Sequence, residues 1–143
     1  MNKQEILHKE IDLIQNIINR MANNSFLLKG WLITLIVAVL ASTTEKIITD
    51  DISYFGLILI LPLVVFWYLD AFFLHKEKCY RELYNWIIEN REKSDKKLYS
   101  LNYEDYEDKV KSVICIMFSP TLRAFYGITF LLLVSIGIYN LTQ

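Results

Sequence analysis

The chain has 143 residues, with 15 Lys and Arg against 16 Asp and Glu, so its net charge is −1. This charge argues against a broad nucleic-acid surface, and the content of 4 Gly and 2 Pro argues against many short strands. The hydrophobic fraction of 54% exceeds that of ordinary soluble domains, so apolar and charged residues must be segregated along the chain. We expect one all-α membrane domain over residues 1–143.

The first predicted element is an amphipathic helix over residues 3–24. Its apolar residues recur at helical spacing and share one face: Ile6, Leu7, Leu13, Ile14, Ile17, Ile18 and Met21. The first 25 residues are charged and lack a continuous apolar run, so we expect no cleavable signal peptide. Residues 21–25 either bend this helix or continue it into the next element.

Three apolar stretches predict transmembrane helices over residues 26–44, 54–74 and 120–141. Residues 52–69 form a charge-free run of 18, and residues 124–143 a run of 20. The first stretch is charge-free for only 15 residues, 30–44, and reaches spanning length if Lys29 extends its ammonium to the headgroups. The alternative is a soluble bundle in which these are buried core helices.

The basic residues predict the orientation of the spans. Twelve of the fifteen precede the first span or lie between the second and third, Lys29 and Arg123 lie at the inner ends of the first and third spans, and only Lys46 lies in the connection between the first two. Lys and Arg concentrate in cytoplasmic segments. We therefore expect a cytoplasmic N-terminus and a C-terminus outside.

The second span continues as a cytoplasmic helix to about residue 90. Tyr80, Leu83, Tyr84, Ile87 and Ile88 carry an apolar stripe along this part. If Lys29 faces Asp70, the numbers of paired residues in the first two helices sum to about 99. The two amphipathic stripes then bury each other, forming a long antiparallel helical hairpin that extends into the cytoplasm.

An interfacial helix is predicted over residues 103–118, with Asn102 as its cap. The pair Ser119 and Pro120 is typical of an N-cap followed by the first helical residue, and so marks the start of the third span.

A charged layer is predicted near the inner end of the spans, where Lys29, Asp70 and Arg123 lie at similar depth. A charge at this depth is costly unless it is paired or reaches the headgroups, and the short Asp side chain reaches poorly. We expect Asp70 to pair with Lys29, Arg123 or both. The pairing is either a clamp on helix register or part of an ion or proton path or a gate.

Candidate partner-binding residues are Tyr80, Arg81 and Tyr84 on the projecting hairpin, with Tyr103 and Tyr106 in an acidic run over residues 103–108. The run is either a docking strip or the solvated start of a helix.

No catalytic or metal-binding motif is visible in the sequence. The two histidines, His8 and His75, belong to different predicted helices, and Cys79 and Cys115 match no metal or redox spacing. We expect no enzyme activity, no cofactor and no bound metal.

Two strings carry a resemblance: residues 20–31, RMANNSFLLKGW, and residues 66–74, FWYLDAFFL, followed by Glu77 and residues 80–84, YRELY. The chain resembles a family of small, uncharacterised bacterial membrane proteins. Its plan, a membrane hairpin flanked by cytoplasmic helices, is similar to that of SLATT-type effectors of phage-defence loci, although a third span is added here. The resemblance implies a location in the bacterial inner membrane and an effector that oligomerises and damages the membrane.

Three functions are therefore considered. The first is a homo-oligomeric effector that permeabilises the membrane, because three spans per subunit cannot enclose a pore alone. The second is a membrane anchor or adaptor that recruits a cytosolic protein through the cytoplasmic helices. The third is a lipid-binding scaffold that uses the basic residues near the inner surface.

Overall fold

The computed structural model describes residues 3–44, 52–91, 93 and 98–141, and all regular secondary structure in this part is helical. The prediction of an all-α fold is thus confirmed. Residues 45–51, in the predicted connection that holds Lys46, and residues 92 and 94–97 of the polar linker lie outside the described residues.

The first helix, α1, runs unbroken over Lys3–Thr44. Of the two possibilities for residues 21–25, the continuous helix is the one observed. No Gly or Pro occurs between Lys3 and Lys29, so nothing in this part interrupts the backbone hydrogen bonds. With 42 residues, α1 is roughly 63 Å long at 1.5 Å per residue.

The second helix, α2, covers Ile52–Asn90 and agrees with the predicted range of 54 to about 90. It packs antiparallel to α1 in the predicted register. The Lys29 ammonium lies 2.5 Å from the Asp70 carboxylate, and the Gln15 amide lies 3.5 Å from the Tyr84 hydroxyl. Both pairs of residue numbers sum to 99.

The packing forms two apolar cores along the hairpin. The hairpin core contains Ile14, Ile18, Leu83, Ile87 and Tyr106. The three-helix core contains Leu32, Leu59, Leu63, Ala71, Ile116, Leu122, Tyr126 and Leu133. Burial of one such aliphatic side chain stabilises the fold by about 1.5–3 kcal/mol, so the mutual burial of the two stripes is a major source of stability.

The segment after the linker differs from the prediction of one helix over residues 103–118. A 3₁₀ helix covers Glu104–Lys109, and a separate short helix, α3, covers Val113–Met117. Val110 is extended between them, and Ser112 caps α3 by accepting a hydrogen bond from the Cys115 N–H. The carbonyl of Lys111 is 3.0 Å from Nδ1 of His75, so it bonds to α2 rather than within a continuous helix.

The last helix, α4, covers Pro120–Leu141, which matches the predicted bounds of 120–141 and the predicted start at Pro120. It packs against α2 and α3.

Two helices, α1 and α2, are long and apolar enough to cross a membrane, whereas the described apolar part of α4, Pro120–Ile136, is shorter. In the most apolar stretch of α1 only 17% is buried within the protein, and in that of α2 only 28%. These stretches therefore leave most of their surface uncovered, unlike the core helix of a soluble bundle.

Candidate functional site

A buried polar cluster joins α1, α2 and α4. Its centre is Asp70, which is completely buried. Lys29 from α1 forms the ion pair with one carboxylate oxygen, and Ser25, also from α1, donates a hydrogen bond to the other. Tyr126 from α4 donates its hydroxyl to the Lys29-bound oxygen at 3.0 Å. We call these four residues the Asp70 cluster.

The helical repeat explains the contribution of α1. Ser25 and Lys29 are four residues apart, so both side chains lie on the face that meets α2. The Lys29 ammonium also donates to the Ser25 hydroxyl at 3.0 Å. The lysine and the serine therefore hold each other in position before they meet the carboxylate.

Aromatic packing fixes the contribution of α4. The ring of Trp67 is nearly parallel to that of Tyr126, with centroids 5.7 Å apart and an interplanar angle of 8°. The Trp67 indole in turn donates to the carbonyl of Met117 at 2.8 Å. The Tyr126 hydroxyl thus reaches Asp70 from a ring that α2 and α3 hold in place.

The electrostatics of the Asp70 cluster favour a single arrangement. Both oxygens of Asp70 have partners, and one of these is a cation, so the cost of burying the carboxylate is offset locally. Removal of one partner would leave a buried charge without full compensation. The cluster can therefore link three helices, and disturbing any one helix weakens the contacts of the others.

Arg123 does not join this cluster. Its side chain is exposed and forms no ion pair with any residue that the structure describes. Successive residues of an α-helix are rotated by about 100°, and the neighbouring Leu122 is the one that faces the three-helix core. Of the expected pairings, Asp70 thus pairs with Lys29 and not with Arg123, and Tyr126 supplies the contact from α4.

The candidate partner-binding tyrosines are used mainly within the fold. Tyr106 is buried in the hairpin core, Tyr80 and Tyr103 have ring centroids 5.3 Å apart, and Tyr84 contacts Gln15. Only Arg81 is well exposed, and it pairs with Glu77 at 2.7 Å. The prediction that Tyr106 binds a partner is therefore wrong, because its side chain is buried and inaccessible.

A second buried ion pair, between Glu10 and Arg91, was missed by the sequence reasoning. The guanidinium makes two bonds to the carboxylate, at 2.5 and 2.8 Å, and the side chains are 1% and 3% exposed, respectively. The backbone N–H of Tyr99 donates to the same carboxylate at 2.7 Å. The register was the available signal, because it brings residues near 8 opposite residue 91.

Polar contacts also hold the segment 103–112 against α2. Lys76 bonds to Glu107 at 2.8 Å, and its ammonium lies 3.9 Å from the centroid of the Tyr103 ring. Burial alone would lower the pKa of Lys76, but the contacts with Glu107 and Tyr103 outweigh burial and raise it. The hydrogen bond from Lys76 lowers the pKa of Glu107.

Burial raises the pKa of the Cys79 thiol, which lies 3.6 Å from Nε2 of His75.

The described residues contain no group of three or more His, Cys, Asp or Glu side chains that could hold a metal ion. No protein-family model, no curated protein and no solved structure matches this chain. The resemblance to SLATT-type effectors and the expectation that the chain is not an enzyme stay predictions.

Proposed function

We propose that this chain is an integral protein of the bacterial inner membrane that crosses the bilayer three times, at residues 26–44, 54–74 and 120–141. The proposal is supported by apolar side chains left exposed on all three long helices: Phe26, Trp31, Val37, Leu61, Val64, Ile128, Leu131 and Ile138. Water disfavours such surface by roughly 25 cal/mol per Å², whereas acyl chains solvate it. The position of 14 of the 15 basic residues supports a cytoplasmic N-terminus and a C-terminus outside.

Within the membrane, we propose that the chain is a homo-oligomeric effector that permeabilises the bilayer, in phage defence. The observation that carries this proposal is the complete burial of Asp70, with partners from two other helices, at the inner edge of the spans. The contacts keep the three helices closed around the carboxylate. If the helices separate, the freed polar groups need water, and in an oligomer that water lines a path between subunits.

The cytoplasmic hairpin is the proposed trigger. Each of α1 and α2 runs without a break from the hairpin core to the Asp70 cluster. From Ile14 to Ser25 the distance along α1 is about 17 Å at 1.5 Å per residue. A displacement of the hairpin core is therefore transmitted to the cluster through two continuous helices.

The test is the membrane potential of bacteria that express the wild-type chain, Asp70→Asn or Asp12→Asn, each together with its genomic neighbours. Asp12 is an exposed acid on α1 and serves as the matched control. Because Asp70→Asn weakens the closed arrangement, it should depolarise cells at several-fold lower expression than the wild type. Asp12→Asn should behave as the wild type.

The amount of each variant in the membrane is measured in parallel. This distinguishes a chain that fails to depolarise because it is poorly folded from one that is present in its closed arrangement. Equal depolarisation by all three chains would contradict a role for the Asp70 cluster in gating. Absence of depolarisation at every expression level, with normal abundance, would overturn the effector proposal.

A membrane anchor or adaptor is the second candidate, and one observation favours it. A groove of about 540 Å³ lies between the cytoplasmic parts of α1 and α2, lined by Gln15, Ile18, Asn19, Arg81, Tyr84 and Asn85. Its polar lining suits an extended peptide of a cytosolic protein. An adaptor should copurify with one partner that Arg81→Glu releases, whereas Lys78→Glu, an exposed control, should retain it.

A further inference from the structure

A second groove, also of about 540 Å³, lies between α2 and residues 107–113. Its lining combines apolar side chains, among them Tyr68, Phe72 and Val113, with polar ones, among them Lys76, Asp108 and Ser112. This groove lies where α2 leaves the proposed second span. It takes no part in the Asp70 cluster.

The groove changes from apolar to charged along the axis of α2. Tyr68, Phe72 and Lys76 are spaced by four residues and share one face of the helix. From Tyr68 to Lys76 the rise is about 12 Å. This exceeds the depth of one headgroup layer, which is about 5–8 Å. A phospholipid can therefore place acyl chain at one end of the groove and headgroup at the other.

The charges of the groove select among headgroups. Among the described residues that line the groove, Lys76 is the one cation, and its ammonium is bonded to Glu107. Asp108 is exposed and has no ion pair with any described residue. Apart from His75, the lining thus carries one positive and two negative formal charges. A purely anionic headgroup is disfavoured, whereas one that brings both a phosphate and an ammonium can pair with both signs.

We propose that this groove binds the headgroup of phosphatidylethanolamine, a phospholipid with a phosphate and a primary ammonium, from the inner leaflet. The inference rests on the proposed membrane embedding. Asp108 and Glu107 accept hydrogen bonds from the lipid ammonium, and Lys76 donates to the phosphate. The Ser112 oxygen accepts a bond from the Cys115 N–H at 3.4 Å, and its hydroxyl hydrogen donates to the phosphate.

Binding of this lipid would hold residues 107–113 against α2. The acyl chains would lie along Tyr68, Phe72 and Val113, which the protein alone leaves partly uncovered. The lipid thus becomes a third partner of the contact between α2 and this segment, beside the Lys76–Glu107 and His75–Lys111 bonds.

The experiment measures lipid retention by the purified full chain, offered equal amounts of phosphatidylethanolamine and phosphatidylglycerol, by native mass spectrometry. The wild type should retain phosphatidylethanolamine several-fold more. Asp108→Asn should lose that preference, and Asp108→Lys should reverse it toward phosphatidylglycerol. Glu104→Gln, which changes an exposed acid of the same 3₁₀ helix outside the groove, should retain the wild-type preference.

Equal retention of the two lipids by the wild type would overturn the proposal. So would a preference that survives in Asp108→Asn and in the double variant with Glu107→Gln, since the lipid would then bind elsewhere. Alkaline extraction of membranes separates this inference from the proposed function. Extraction of the chain would overturn the proposed membrane embedding itself. A chain that stays in the membrane but shows no headgroup preference would overturn only the lipid-binding inference.

Discussion

The hydroxyl of Tyr126 donates a hydrogen bond to the carboxylate of Asp70 at 3.0 Å, across the contact between α4 and α2. The two residues are 56 positions apart, and both are completely buried. This bond, together with the Lys29–Asp70 ion pair, makes one carboxylate the meeting point of three helices. It ties α4, which is apolar along most of its length, to a defined polar group of α2.

Replacement of Tyr126 by Phe should destabilise the protein by about 1–3 kcal/mol, the usual cost when a buried hydrogen-bonding group loses its partner. The ring and its stacking on Trp67 are retained, so only the hydroxyl is tested. Unfolding in detergent micelles measures the difference. Tyr68→Phe is the matched control, because its side chain is 48% exposed and should change stability little. Equal stability of the two variants would contradict a stabilising role for the Tyr126–Asp70 hydrogen bond.

Lys29 and Asp70 should be energetically coupled. Each single replacement, Lys29→Met or Asp70→Asn, leaves one member of the pair without its ionic partner, so the double variant should lose less stability than the sum of the two. We expect a coupling energy on the order of 1–3 kcal/mol from the double-mutant cycle. The cycle of Asp70→Asn with Arg123→Met is the control, because Arg123 is exposed and unpaired with Asp70, and it should be additive. Additive losses in the Lys29 cycle would contradict the pairing.

Glu10→Gln should expose the backbone amide of Tyr99 to faster hydrogen exchange. In the wild type this N–H donates to the Glu10 carboxylate, which Arg91 holds from the other side. A neutral amide accepts more weakly and loses the charge-assisted pair with Arg91, so the contact opens more often. Asp12→Asn, a neutralised exposed acid on the same helix, should leave exchange at Tyr99 unchanged. If the Tyr99 amide exchanges at the same rate in both variants, its protection does not come from the Glu10 carboxylate.

Acidification should loosen the 3₁₀ helix Glu104–Lys109 from α2. The folded-state pKa of Glu107 is lowered from its ordinary value of 4.5 by the Lys76 hydrogen bond. The stabilisation is therefore present above pH 4.5 and is lost as the pH falls through the lower, folded-state pKa. Hydrogen exchange of the Tyr106 amide, corrected for its intrinsic pH dependence, measures the opening.

Glu107→Gln is the reference for the acid experiment, since it lacks the titrating carboxylate, and Glu104→Gln is the control for an exposed acid on the same helix. Acid should increase opening more in the wild type and in Glu104→Gln than in Glu107→Gln. The pKa of Lys76 is raised, so the stabilisation that its charge contributes is fully present below its ordinary pKa of 10.5. Lys76 therefore stays charged throughout the acid range and does not contribute to the acid response. The same acid response in all three chains would rule out Glu107 as its source.

The sequence alone determined the helices and the register of the hairpin. The apolar residues of α1 and α2 repeat at helical spacing, and in the observed alignment the two stripes bury each other. Lys29 and Asp70 add a charge pair in that same alignment, which explains why the sum of 99 was predictable and agrees with the observed contacts. Such a pattern records the position of a residue along a helix and also which side it faces.

Only the tertiary structure decided which residues meet Asp70 from α4, and where the segment after the linker breaks. Apolar residues lie on all faces of α4 beyond its first turn, so the hydrophobic pattern does not show that Tyr126 rather than Arg123 meets Asp70. Similarly, residues 103–118 read as one amphipathic helix, but the His75 contact to the Lys111 carbonyl and the Ser112 cap divide them. The residue numbers of the Glu10–Arg91 pair sum to 101, so the register of 99 brings the two residues near each other but does not by itself pair them.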